Sequence, residues 1–167
     1  FENEVKALET LKGQKIGPEL VYTNFSKHYY IIERMDMTLL NLIIDDKLST
    51  SQINKLLALS KRYIKSNYFH DDLHMNNIMW SNTLNDFRII DWGISLFINP
   101  TLQNKLHERK MDILFQYSII FRIMIYTMNK IQQSDSNIKK KWIKIKNKII
   151  IFINISFPDN PNKINKS

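Results

Sequence analysis

Asp72, Asn77 and Asp91 are the residues of this 167-residue chain whose types and spacing could do chemistry together. Asp72 and Asn77 lie five residues apart in His70-Asp71-Asp72-Leu73-His74-Met75-Asn76-Asn77, which reads as a tight loop. Asp91 follows a β-prone run and opens Asp91-Trp92-Gly93. Three oxygen-bearing side chains so placed can converge on magnesium and phosphate, because hard cations take an oxygen shell. Moving a phosphoryl group needs a carboxylate to accept or orient the proton of the attacking hydroxyl. It also needs further oxygens to hold magnesium against the phosphates while charge redistributes. Asp72 suits the first role. Asn77 and Asp91 suit the second, the neutral amide adding a ligand without another negative charge beside an anionic nucleotide.

Local elements must bring these residues together. Ile78 to Trp80 and Phe87 to Ile90 read as a short hairpin across the polar turn Ser81 to Asp86, which would set Asn77 beside Asp91. Thr50-Ser51 offers an N-cap for a helix with apolar residues at Ile53, Leu56, Leu57 and Ile64, delivering the chain to the loop. Leu20 to Asn24 and His28 to Glu33 read as two strands, and Met37 to Asp46 as a short helix whose Asp45-Asp46 marks its solvated end. Met111 to Met128 is apolar nearly all round and about as long as a membrane span. Asp112, Gln116 and Arg122 interrupt it, and a charge near the middle of a lipid-embedded helix costs about 2.5 to 3.5 kcal/mol. It therefore reads as a buried core helix, with no membrane span. Ile138 to Ile155 predicts one or two helices, although the alternation at Ile143 to Lys146 also permits a strand.

The loop and the Asp-x-Gly motif together resemble the protein-kinase-like superfamily, whose catalytic loop reads H-R-D-L-x-x-x-N and whose metal motif reads D-F-G. Here they read H-D-D-L-H-M-N-N and D-W-G, in the same order. The resemblance implies an α+β, protein-kinase-like fold: a partial N-lobe and hinge over residues 1–35, a mostly helical C-lobe over 36–157, and a polar tail over 158–167. It implies that Phe1 to Leu11 is the helix carrying the N-lobe glutamate, Glu4. Ile32, Glu33 and Met35 then belong to the hinge that meets the adenine edge, with Ile32 as gatekeeper and Met79 and Ile90 lining the pocket. His70 would hold the catalytic loop, and Asp112 would anchor it from below. ATP and Mg2+ are the implied cofactors. The short interval from Asp91 to Asp112, Gly17-Pro18-Glu19-Leu20, and His74 in place of lysine bring the chain closer to small atypical Ser/Thr kinases of the KEOPS type. Aminoglycoside and choline phosphotransferases share the loop pattern too, so the acceptor is a protein or a small-molecule hydroxyl.

The largest departure is at the start. Kinases of this superfamily place a Gly-rich loop over the phosphates and pair a strand lysine with the helix glutamate. Neither is present: the glycines are Gly13, Gly17 and Gly93. Lys6 is no substitute for the lysine, because residues two apart on a helix do not face each other. Phe at position 1 suggests that the chain begins inside the domain, and a trimmed and a shortened protein both fit. A catalytically inactive binding module fits the same departures. As a zinc site, His70 and His74 lack an H-E-x-x-H order and a third histidine. Trp92 reads as a packing residue whose indole finds a partner.

Composition bounds the rest. Hydrophobic residues make up 44% and aromatic residues 11%, which argues for a folded core over disorder. The absence of cysteine excludes disulfides and thiolate zinc sites and fits an intracellular, cytoplasmic protein. The net charge of +8 suits acidic partners, and much of the excess lies at Lys139, Lys140, Lys141, Lys144, Lys146 and Lys148. That face could meet nucleic acid, but a solvated helix face is the default for such a lysine run.

Overall fold

Val5, Ala7, Leu8 and Leu11 recur at helical spacing, and helix α1 (Glu2–Leu11) buries all four. The computed structural model describes residues 1–66, 68–97 and 106–157, the side chains of 106–115 excepted. It is α+β, with small sheets and a helical C-terminal part. After α1, β1 (Leu20–Asn24) and β2 (Tyr29–Ile32) pair antiparallel, with an irregularity between Leu20 and Tyr22. The two-residue period of β2 leaves Tyr29 and Ile31 exposed and half-buries Tyr30 and Ile32 on the other face.

The helix expected over Met37–Asp46 is shorter. Met37–Thr38 forms strand β3, paired with Trp80 and Met79, and helix α2 spans Leu39–Ile44. The Asn41 N–H donates to Thr38 Oγ1 at 3.1 Å, so Thr38 caps the helix and stands outside it. Helix α3 (Thr50–Ile64) is likewise capped one residue before the expected position. Ser49 accepts the Gln52 N–H while the Gln52 side chain reaches back to the Ser49 N–H, a reciprocal capping box. Its inner face is Ile53, Leu56, Leu57, Leu59 and Tyr63.

Strands β4 (Tyr68–Phe69) and β7 (Leu96–Phe97) pair with each other and were not foreseen in the residue pattern. Between them, β5 (Ile78–Ser81) and β6 (Asp86–Ile89) form the expected hairpin and complete a three-stranded sheet of order β3-β5-β6. Helix α4 (Leu106–Gln133) is longer than expected, and α5 (Ser136–Ser156) is a single helix, which removes the strand alternative. Asp135 Oδ1 starts α5 by accepting the Asn137 and Ile138 N–H groups, both at 3.1 Å. Among the described residues no helix is long and apolar enough to cross a membrane. The lysines of α5 are exposed except the half-buried Lys146, as a solvated face requires.

One core runs through these elements, from Leu8 and Leu11 of α1 through α3 and the hairpin to Phe152 and Phe157. Asp46 ties α4 to the turn after α2, accepting from Tyr126 Oη at 3.0 Å and pairing with Lys130. Gly17 marks the tightest approach to the Asp91 segment. A methyl group there would lie 3.1 Å from Leu8 Cδ2 and 3.2 Å from Trp92 Nε1. Trp92 is fully buried and donates to Ile89 O at 2.7 Å, so it cannot easily give way. Gly17→Ala is therefore expected to destabilise the fold by about 1–3 kcal/mol, as overpacking does. Urea unfolding would show this as a lower midpoint with an unchanged slope.

Candidate active site

His70 pins three elements at one point. It is fully buried. Its backbone N–H donates to Tyr63 Oη of α3 at 2.8 Å, and Nε2 lies 2.6 Å from Ile90 O. Its ring meets Trp92 edge-on at 4.9 Å between centroids. A carbonyl can only accept, so Nε2 carries the proton, and Nδ1 is left buried without a hydrogen-bond partner among the described residues. Burial pushes the His70 pKa down, more strongly than Ile90 O and the nearby Asp91 and Asp72 push it up.

A stability signature follows. Unfolded histidine titrates near 6.5, while folded His70 stays neutral to lower pH. Below about pH 6.5 the unfolded state then binds more protons, so stability falls as pH drops and is flat above that window. Denaturation midpoints measured from about pH 8 down to 5 should trace this decline, and His70→Gln, which keeps an N–H donor, should flatten it.

The loop after His70 brings two of the three chemistry-bearing residues into direct register. Asn77 Nδ2 donates to Asp72 O at 3.0 Å, and the Asn77 N–H donates to His74 O at 3.0 Å. The Ile90 N–H donates to Asn77 O at 2.8 Å, extending the β5–β6 ladder by one rung. Asp91, next in the chain, is thereby held beside Asn77. The charges of both Asp72 and Asp91 act on the His70 ring. Asp91 is exposed and adopts φ 62°, a left-handed conformation that, glycine apart, asparagine and aspartate tolerate best and that clusters at functional sites. Asp72 is 53% exposed at its side chain, and Asn77 is buried.

His74 belongs to the same group. The Asn76 N–H donates to His74 Nδ1 at 3.2 Å, which puts the proton of the neutral ring on Nε2, 3.5 Å from Asp72 Oδ2. Two neighbours escaped the sequence reading. The Tyr30 hydroxyl lies near the Glu4 carboxylate, where a lysine was expected. Burial, Glu4 and the nearby Asp91 together raise the Tyr30 pKa well above the tyrosine range. The available signal was the strand period, which sets Tyr30 on the same face as Ile32. Asn3 Nδ2 donates to Gly93 O at 2.8 Å and to Ser95 O at 3.0 Å, fastening α1 to the segment after Asp91. Nothing local announces that contact.

The proposed hinge residues have mixed fates. Ile32, Met79 and Ile90 are half-buried, so none is sealed in the core. The Glu33 carboxylate is committed elsewhere, accepting from the buried Arg88 at 3.2 Å in a network that includes Asp86 and Arg62. The Glu33 N–H donates to Glu19 O at 2.9 Å. The Glu33 carbonyl and the Met35 N–H have no backbone partner among the described residues. The side chain of Asp112 and the tail over 158–167 lie outside the described residues.

The side-chain oxygens of Asn77 and Asp91 are of the kind that magnesium takes. With Nδ2 spent on Asp72 O, Asn77 has its Oδ1 to offer a cation, and Asp91 has no ion-pair partner among the described residues. Among the described residues no group of three or more His, Cys, Asp or Glu could hold a metal ion. Magnesium is typically held by one or two carboxylates together with water and substrate phosphates, without a full protein cage. The chain matches no protein-family model and no curated protein sequence.

Proposed function

We propose that the chain is a protein-kinase-like, ATP- and magnesium-dependent phosphotransferase whose acceptor is a serine or threonine hydroxyl. The observation that carries this reading is the pair of contacts on Asn77, its side chain to Asp72 O and its carbonyl to the Ile90 N–H. Together they support a single site made of Asp72, Asn77 and Asp91. Asn77 Oδ1 and the Asp91 carboxylate hold the cation, and the Glu33 carbonyl and Met35 N–H meet the adenine edge between Ile32, Met79 and Ile90. When bound, magnesium offsets the charge that develops on the phosphate oxygens.

In the transfer, the acceptor oxygen bonds to the γ-phosphorus and the bond from that phosphorus to the β–γ bridging oxygen breaks. ADP leaves, and the acceptor proton passes to Asp72. His74 orients Asp72 through Nε2. Incubation with γ-labelled ATP and magnesium tests the reading against protein acceptors, aminoglycosides and choline in parallel. Label on serine or threonine is the expected result, and label on none of them rules it out.

A second reading, nucleotide binding without transfer, is favoured by one observation: the group near Glu4 is the Tyr30 hydroxyl, and a tyrosine cannot supply the positive charge that a lysine would bring to the phosphates. Binding of magnesium–ATP with no label transferred to any acceptor would select it.

A further inference from the structure

A groove of about 440 Å3 opens on the side of the catalytic loop where His74 stands, between that loop, α2 and α4. Its polar wall is His74, Asn76, Ser118 and Arg122, over apolar surface from Leu40 and Ile119. The volume is in the range of ligand sites that bury most of a small ligand. Arg122 is exposed and has no carboxylate partner among the described residues, although arginine readily forms bidentate pairs. His74 belongs both to this groove and to the Asp72 pair, so a ligand in the groove lies next to the acceptor carboxylate.

We infer that this groove binds the phosphate-accepting segment of a protein, and that Arg122 selects segments carrying an aspartate or glutamate near the acceptor hydroxyl. The inference rests on the reading of Asp72 as the residue that orients that hydroxyl. The apolar floor takes the neighbouring aliphatic part of the segment, and Asn76 and Ser118 can hydrogen-bond its backbone. The overall charge of +8 would attract any acidic peptide, so the proposal requires the selectivity to be local to Arg122.

The test is fluorescence anisotropy with the full 167-residue chain and three labelled pools of eight-residue peptides, each with a central serine. Flanking positions are drawn from Asp and Glu, from Ala and Gly, or from Lys and Arg. The acidic pool should bind about tenfold tighter than the alanine–glycine pool, which is the size of one charge-assisted pair. Arg122→Glu should remove that preference. Lys141→Glu, an equal charge change at an exposed position on α5, should leave it within about twofold. Equal binding of the three pools, a preference for the basic pool, or equal losses in the two variants would overturn the proposal. So would competition by free aspartate as effective as that by the acidic pool, which would assign the groove to a small anion. Arg122-dependent peptide binding without label transfer would support this groove and count against the transferase reading, so the two failures are distinguishable.

Discussion

Asp91→Ala is expected to abolish magnesium-dependent nucleotide binding and to lower phosphoryl transfer by at least about 10²- to 10³-fold, the loss seen when one electrostatic stabiliser is removed. The cause is specific to the donor set. Without the Asp91 carboxylate only the neutral Asn77 amide remains to hold the cation, and magnesium gives up its water reluctantly for so weak a site. Alanine also fits poorly at φ 62°, where a Cβ without a compensating polar group costs about 1–2 kcal/mol. Asp91→Asn separates the two effects, because it tolerates that backbone while losing the charge. Isothermal titration with ATP, with and without magnesium, should show the magnesium dependence vanish in the alanine variant and weaken in the asparagine variant, with thermal unfolding of the latter unchanged.

Asp72→Asn should behave differently. It should slow transfer by about 10²- to 10⁴-fold, the range for loss of a positioned general base, while magnesium–ATP affinity stays within about twofold. The physical reason is that Asp72 O, which accepts from Asn77, is a backbone atom and survives the substitution. The loop therefore keeps its shape and the cation keeps its ligands. His74 Nε2 loses the carboxylate that it faces, so the asparagine variant also removes an orienting contact. Single-turnover rates set beside nucleotide affinities separate a chemical defect from a binding defect. A loss of affinity equal to the loss of rate would assign Asp72 to the cation site.

Local pattern carried much of the site. Short apolar-rich runs on either side of a polar turn, Ile78 to Trp80 and Phe87 to Ile90, predict the hairpin, and a hairpin there brings Asn77 and Asp91 alongside each other. The helical spacing of Ile53, Leu56 and Leu57 places α3 for the same reason. The features that escaped are those in which a distant partner decides the outcome. Met37–Thr38 looks helical by composition but pairs with Met79–Trp80 more than forty residues later. Tyr30 reads as an ordinary strand aromatic until α1 delivers Glu4 to its hydroxyl. Arg88 is buried because Glu33, Asp86 and the Phe87 carbonyl surround its guanidinium, and the strand pattern alone cannot announce those partners. Periodicity reports which face of an element is apolar, whereas the polar contacts that complete a site depend on how elements meet.

The most direct measurement replaces magnesium with paramagnetic Mn2+ in the presence of ADP and follows the broadening of amide signals in the isotope-labelled chain. Broadening centred on Asp72, Asn77 and Asp91, together with the neighbouring Tyr30, and lost in Asp91→Ala, is the predicted result. Broadening elsewhere with these signals sharp, or a pattern that Asp91→Ala leaves unchanged, would contradict a shared cation and nucleotide site at these residues.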